Sequence, residues 1–152
     1  MSDIQNLDTF ETLIDIIAKL RSPEGCPWDR KQTHASLREY LLEECYEALD
    51  ALDEGDMDKL RDELGDILLQ IMLHAQIGSE NGEFTIGDVI QNLNEKMIYR
   101  HPHVFGNETV ADADEVSQNW QLLKRKKRGE GASILESVPK QMPSLSYAYE
   151  IQ

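Results

Sequence analysis

Two acidic pairs at helical spacing are the residues of this chain best suited to chemistry. Glu44 and Glu47 are three residues apart, and so are Glu63 and Asp66. Residues three apart share one face of a helix, so each pair presents two carboxylates together. Ligands made only of oxygen favour a hard divalent cation, either magnesium or manganese. The pattern predicts a metal site if the fold brings the two pairs together.

A helical hairpin is expected to bring them together. Hydrophobic spacing predicts one helix from Thr33 to Glu54, capped by Gly55, and a second from about Met57 to Glu80. The connection is so short that the two helices must run antiparallel. The acidic pairs border apolar stripes that are predicted to form the core, namely Leu41, Cys45, Ala48 and Leu52 on one helix and Leu60, Leu64, Ile67 and Ile71 on the other.

Closing this hairpin places the four carboxylates at one level. Glu47 and Glu63 lie equally far from the turn, and Glu44 lies opposite Asp66. Four such charges repel each other unless a cation neutralises them. A solvated acidic face is the ordinary alternative, because the chain has 29 acidic residues. A di-iron bundle would use a Glu-x-x-His motif, and the aspartate at position 66 argues against that redox site.

Capping signals indicate three more helices, so the predicted fold is all-α, an antiparallel helical bundle of about five helices. No segment alternates convincingly with the period of a strand. Residues 22–29 are predicted to form a loop, and residues 147–152 resemble the first turns of a further helix. The three helices are predicted to start at Asp8 with Glu11, Thr85 with Asp88 and Asp112 with Glu115, and to end near Arg21, before Pro102 and near Arg128.

Composition and charge disfavour several classes of function. The 152 residues suit one domain, 1–152, and 40% of them are hydrophobic, which is enough for one core. No apolar run approaches the roughly 20 residues that span a bilayer, and residues 1–10 show no secretory signal. The chain has two cysteines, which do not make a disulfide framework. Because this fits a reducing compartment best, we expect a cytoplasmic protein. A net charge of −14 disfavours nucleic-acid binding, and a phosphate ligand would need a cation or a basic cluster to screen it.

Several segments, in order along nearly the whole chain, resemble the MazG-type nucleoside triphosphate pyrophosphohydrolases of the all-α pyrophosphohydrolase superfamily. The matching segments are Gly25–Asp29 (GCPWD), Leu42–Glu47 (LEECYE), Arg61–Gln70 (RDELGDILLQ) with His74 and Ala75, Arg100–Phe105 (RHPHVF), and Trp120 with Lys124. The resemblance implies that nucleoside triphosphates are the substrates. It also implies cleavage between the α and β phosphates, which gives a nucleoside monophosphate and pyrophosphate.

The resemblance further implies a ligand set and an assembly. Glu44, Glu47, Glu63 and Asp66 would bind Mg²⁺, with Mn²⁺ as a substitute. Members of the family are typically homodimers or higher homo-oligomers, with the helical bundle completed by dimerisation. Many carry two such domains in tandem, so the alternative to a single-domain protein is the N-terminal part of a longer one.

Cationic and aromatic residues outside the hairpin are candidates for binding the substrate. Lys96 and Arg100 share a face and are expected to hold phosphates, although basic residues there also stabilise the end of their own helix. Trp28 and Trp120 are candidates for stacking a nucleobase, although packing is the commoner role of tryptophan. The remaining candidates are Asp29 and Lys31 beside Trp28, His101 beside Arg100, and Lys124 one turn after Trp120.

The catalytic candidates are Glu43 and Glu44. Glu44 acts as a ligand, whereas Glu43 beside it is either a base or second-layer carboxylate, or simply an exposed acid. The predicted function is magnesium-dependent hydrolysis that clears unwanted triphosphates from the nucleotide pool. The alternative is a catalytically weak helical regulatory or dimerisation domain that binds nucleotide or a partner. The base and sugar preference is not encoded in the spacing of these residues.

Overall fold

The fold is all-α, as predicted, in the residues that the computed structural model describes, which are 5–128, 139, 141–142 and 144–150. None of the helices in this part of the chain is both long enough and apolar enough to cross a membrane. The helices, in chain order, are α1 (Phe10–Arg21), α2 (Pro27–Lys31), α3 (Leu37–Glu54), α4 (Met57–Asn81), α5 (Ile86–Arg100), α6 (Pro102–Phe105), α7 (Ala113–Arg128) and α8 (Ser144–Glu150).

Three short helices account for the difference between the eight helices described and the five predicted. α2 and α6 each begin with a proline, Pro27 and Pro102, whose fixed φ suits the first turn of a helix. Helices of five and four residues are too short to show helical periodicity in a sequence. The loop predicted for residues 22–29 is therefore confirmed through Cys26 and wrong from Pro27 onward. α8 agrees with the helix predicted in the tail as far as Glu150, and residues 151–152 of that prediction lie outside the described residues.

Side-chain caps mark where α5 and α1 begin. The capping box predicted at Thr85 is confirmed, because its N–H donates to Asp88 Oδ2 at 2.7 Å and the Asp88 N–H donates to Thr85 Oγ1 at 3.3 Å. The cap predicted at Asp8 is wrong. Thr9 caps α1 instead, and its hydroxyl accepts a hydrogen bond from the Thr12 N–H at 3.3 Å.

The long helix α3 begins at Leu37, later than the predicted start at Thr33. Thr33 and Ser36 close a turn ahead of the helix. The Thr33 N–H donates to Ser36 Oγ at 2.9 Å, and the Ser36 N–H donates to Thr33 Oγ1 at 3.1 Å. Short hydroxyl side chains compete with helical hydrogen bonding in this way, which is why the helix starts later than its apolar spacing indicates.

The connection between α3 and α4 fixes the hairpin that the sequence predicts. Gly55 ends α3 at a φ of +70°, a left-handed conformation that glycine adopts without strain. Asp56 caps α4, and its side chain accepts from the N–H groups of Asp58 at 3.1 Å and Lys59 at 3.0 Å. The Asp56 N–H donates to Ala51 O at 3.0 Å. One helix therefore ends and the next begins within two residues, so the register of the hairpin has little freedom.

Two compact units make up the chain, residues 1–91 and 92–152. In the first unit, α3 packs chiefly on α4, and α1 packs on both α2 and α4. The core predicted along the hairpin is only partly right, since Ala48 is buried but Leu52 and Leu64 are 52% and 53% exposed. The observed core consists of Ile17, Leu37, Met72, Leu73 and Ile77, most of them on α1 and the C-terminal half of α4.

A histidine pair joins the turn before α3 to α4. The Nδ1 atoms of His34 and His74 lie 2.7 Å apart, and the two rings stack at 5.0 Å between centroids. On its other side, His34 places Nε2 3.6 Å from a carboxylate oxygen of Glu83, and Phe84 stacks on the same ring. Burial, and then the proximity of His34, lower the pKa of His74. One ring of the pair must accept the hydrogen bond, so at least one is neutral.

The histidine pair predicts a loss of stability in acid. Because the folded chain holds the pKa of His74 below its ordinary value of 6.5, the unfolded chain takes up the proton first. The stability that neutral His74 contributes is present above a pH of about 6.5 and is lost as the pH falls through the folded pKa. His74→Phe should flatten the dependence of the unfolding free energy on pH between about 7 and 5, as measured by urea denaturation. His103→Phe, the control, should keep the wild-type slope, and an unchanged slope in His74→Phe would contradict the assignment.

Candidate metal centre

Three carboxylates of the hairpin converge. Glu44 on α3 and Glu63 and Asp66 on α4 each offer one oxygen, and these oxygens all lie within 4.8 Å of one another. The spacing of three residues puts Glu63 and Asp66 on one face of α4, and the tight connection turns that face toward α3. In the described part of the chain, this is the group of histidine, cysteine and acidic side chains that could hold a metal ion.

Glu47 completes the acidic cluster by pairing with Glu63. After burial, Glu47 contributes most to raising the pKa of Glu63, while Asp66 is the acidic neighbour that contributes most to raising the pKa of Glu44. These are the cross-hairpin pairs that the distances from the turn predict. The structure therefore brings together all four residues predicted as ligands, with Glu47 outside the tightest group of three. Their role as ligands stays a prediction.

Mutual repulsion and burial act on this cluster in the same direction. Burial, then Asp66, Glu47 and Glu63, and finally Glu43, raise the pKa of Glu44. Burial and then Glu47 raise the pKa of Glu63. Both effects oppose the ionised carboxylate, and a divalent cation would remove the penalty by neutralising the charge. An all-oxygen donor set with excess negative charge, at a partly exposed position, fits magnesium or manganese.

Glu43 is exposed and stands beside the cluster. Its charge adds to the repulsion at Glu44, although it is not one of the three residues whose oxygens converge. The structure thus places the predicted catalytic pair next to each other on α3, one member in the cluster and the other at its edge.

The short helix α2 carries Trp28, Asp29 and Lys31, which are three of the predicted substrate-binding residues. Trp28 is 50% exposed, and its ring meets Tyr40 edge-on with 5.8 Å between the centroids. Tyr40 precedes Glu44 by one helical turn on the same side of α3. Sequence reasoning missed Tyr40, although its spacing of four residues from Glu44 was a usable signal.

The second unit contains the other predicted substrate-binding residues. The guanidinium of Arg100 lies over the Trp120 ring at 5.0 Å, and the His101 ring meets the same indole edge-on at 4.9 Å. Trp120 is therefore packed against cationic and aromatic neighbours, which favours the packing role over base stacking. Lys96 and Lys124 are both partly exposed.

Fold and site together define a class of protein: an all-α domain with a cluster of acids on a helical hairpin. The MazG family model, described as the MazG nucleotide pyrophosphohydrolase domain, matches residues 32–105. The crystal structure of a MazG-related protein from Thermotoga maritima aligns with a TM-score of 0.63 and 30% identity, over 76% of this chain and 98% of that one. The chain belongs to the MazG family.

Longer bacterial proteins match nearly the whole chain. An uncharacterized protein of Bacillus subtilis, YabN, is 54% identical and shares 94% of this chain but 29% of its own length. The nucleoside triphosphate pyrophosphohydrolase/pyrophosphatase MazG of Thermotoga maritima is 52% identical, with 94% of this chain and 55% of that protein aligned. The nucleoside triphosphate pyrophosphohydrolase of Escherichia coli K12 is 40% identical, with 96% of this chain and 57% of that protein aligned. The chain thus spans between about a third and three fifths of the length of these relatives.

The acidic cluster predicts that magnesium stabilises the fold. At a concentration ten times its Kd, a ligand that binds only the folded chain adds about 1.4 kcal/mol, which raises the Tm of a domain this size by about 3–6 °C. Glu44→Gln should abolish that rise while leaving the metal-free protein no less stable, because it removes one repelling charge. Differential scanning calorimetry with and without magnesium measures both effects. Glu39→Gln, an exposed acid on another face of α3, should keep the full rise, and its loss there would show a nonspecific effect.

Proposed function

We propose that this chain hydrolyses nucleoside triphosphates between the α and β phosphates and releases a nucleoside monophosphate and pyrophosphate. The observation that carries the proposal is the cluster of Glu44, Glu63 and Asp66 on a helical hairpin, within a chain of the MazG family. Relatives that match nearly the whole chain are named as nucleoside triphosphate pyrophosphohydrolases, which supports the same reaction. The cellular purpose that follows is removal of unwanted triphosphates from the cytoplasmic nucleotide pool.

Glu44, Glu47, Glu63 and Asp66 would hold the magnesium ion, with manganese as a substitute. When bound, the ion supplies charge neutralisation on the phosphates and orients them for in-line attack by water. The partial exposure of the cluster leaves its outer side open to water and to phosphate oxygens.

Glu43 is the residue that we assign as general base. It is exposed and ionisable and lies next to Glu44 on α3, so a water molecule at the edge of the cluster is within its reach. Its carboxylate would accept the proton that the attacking water loses. It does not belong to the converging group, which leaves its lone pairs available for that proton.

The remaining predicted binding residues fall into two groups, one for the nucleoside and one for the phosphates. We assign Trp28, whose ring is half exposed, to stacking on the nucleobase, with Asp29 and Lys31 as polar partners of the nucleoside. One face of the Arg100 guanidinium lies on the Trp120 ring. We assign the N–H groups at its edge to binding phosphate oxygens. Lys96, His101 and Lys124 complete the set that we assign to the triphosphate.

Hydrolysis assays distinguish this enzyme from a regulatory domain of the same fold. A panel of ribo- and deoxyribonucleoside triphosphates should release pyrophosphate only with a divalent cation, and Glu44→Ala or Asp66→Ala should abolish release without loss of helical circular dichroism. Glu43→Gln should lower kcat by about 10²–10⁴-fold. Glu39→Ala is the matched control with full activity. Nucleotide binding without any pyrophosphate release would establish the regulatory alternative.

We also propose that a second copy of the chain covers the exposed half of the hairpin. Two apolar stripes face outward there at helical spacing and with substantial exposure: Leu42 (55%), Tyr46 (48%) and Leu49 (54%) on α3, and Met57 (59%), Leu64 (53%) and Ile71 (40%) on α4. Contiguous apolar surface of this kind marks an interaction site. A homodimer or higher homo-oligomer that completes the helical bundle would bury both stripes.

Charge placed in the stripe should dissociate the assembly. Leu49→Glu is expected to convert a dimer to a monomer in light scattering coupled to size exclusion, because a carboxylate would be buried without a partner. Leu7→Glu is the control, since Leu7 is 76% exposed and lies outside both stripes. A wild-type chain that is monomeric at micromolar concentration, or a Leu49→Glu variant that stays dimeric, would refute the interface.

A further inference from the structure

Arg21, at the end of α1, is a buried cation that the predicted chemistry does not use. Its side chain is 6% exposed. Nε donates to the two carboxylate oxygens of Glu80 at 2.9 and 3.2 Å, and the second guanidinium nitrogen donates to Glu80 at 2.7 Å. Such a bidentate pair is strong and fixes the orientation of the guanidinium plane. The hydrogen bond from Arg21 is the main reason that the pKa of Glu80 is lowered, so the pair stays ionised at neutral pH.

The third nitrogen of Arg21 binds the end of α2. It donates to the main-chain oxygen of Asp29 and, at 3.3 Å, to that of Gln32. One guanidinium therefore links the end of α1, the end of α2 and the last turns of α4. Lysine has a single nitrogen and could not make these contacts at once.

Besides its bonds to Arg21, α2 is held by its packing on α1 and by a hydrogen bond at its start, from the Cys26 N–H to Leu20 O at 2.8 Å. α2 has five residues, and a helix of that length has no stability of its own in water. Buried Gln32 adds one tie, because its side-chain amide donates to Trp28 O at 3.2 Å. The position of the C-terminal end of α2 thus depends on the hydrogen bonds that Arg21 donates to Asp29 O and Gln32 O.

We propose that Arg21 and Glu80 are positioning residues for nucleoside recognition, holding α2 where Trp28 meets Tyr40 one helical turn from Glu44. This inference rests on the proposed function, because it takes Trp28 as the surface that receives the base. Arg21 itself touches neither substrate nor metal ligands. Its effect is on the affinity for the nucleoside part of the substrate and not on the chemistry at the carboxylates.

The test separates KM from kcat. Arg21→Lys should raise KM for a nucleoside triphosphate by about 10–100-fold, since small displacements of a binding group have effects of this size, and should leave kcat within about threefold. Inhibition by inorganic tripolyphosphate, which has no base, should be unchanged. Lys19→Gln loses one positive charge from the same turn of α1 and should behave as wild type. Tripolyphosphate affinity that falls in parallel with nucleotide affinity, or an unchanged KM, would overturn the proposal.

A double-mutant cycle tests whether Arg21 acts on KM through Trp28. In a Trp28→Ala background, Arg21→Lys should raise KM by clearly less than in the wild-type chain, because the main residue that it positions is gone and only Asp29 and Lys31 remain on α2. Additive effects would overturn the proposal. Glu80→Gln keeps one acceptor and both carbonyl contacts of Arg21, so it should give a smaller rise in KM, and it serves as the test variant if Arg21→Lys does not fold.

Tryptophan emission gives a readout that does not need catalysis. In a Trp120→Phe background, Trp28 is the sole tryptophan of the chain. Arg21→Lys should shift its emission in the absence of nucleotide, whereas Lys19→Gln should not. An unshifted emission spectrum would refute the positioning role. If the wild-type chain proves inactive while the emission shifts, the proposed function fails and the control of α2 by Arg21 stands.

Discussion

Repulsion among carboxylates at the α3–α4 hairpin is the constraint on which the rest of this structure depends. Glu44, Glu63 and Asp66 lie close together, and the charges of Asp66 and Glu47 disfavour ionisation of both Glu44 and Glu63. The backbone holds them near one another, because the connection through Gly55 leaves the register of the hairpin little freedom. The cost of gathering like charges is therefore incurred on folding. A site assembled in advance in this way has less reorganisation to undergo when a cation binds.

That cost is tolerable because the core lies elsewhere in the first unit. The fully buried side chains Ile17, Leu37 and Leu73 lie on α1, at the start of α3 and in the second half of α4. The half of the hairpin nearest Gly55 instead exposes apolar side chains such as Leu49 and Leu64. The large buried side chains of the hairpin, which stabilise the fold, and its clustered carboxylates thus lie in different halves of the hairpin. The acidic half of the hairpin leaves apolar side chains exposed, and this exposure is the physical argument for the second copy that we propose there.

The sequence was sufficient for the features that local rules determine. A short connection with glycine at its end implies an antiparallel hairpin, and equal distances from that turn imply which acids meet, so the pairs of Glu47 with Glu63 and Glu44 with Asp66 were predictable. The fold class and the family followed from the same residues. Periodicity identifies the apolar face of a helix but not what covers it, and this is why Leu52 and Leu64 were wrongly placed in the core.

Some features that could not be predicted depend on contacts between distant residues. α2 leaves no periodic signal, and the links that hold it come from Arg21 and, through it, from Glu80, 59 residues further along the chain. A recognition segment with little stability of its own can be repositioned by changes at those links without disturbing the carboxylates. The hairpin therefore keeps the carboxylates fixed, whereas the position of α2 is adjustable. In the function that we propose, the chemistry that needs fixed charges would lie on long helices, and the recognition of a particular base would lie on a short one.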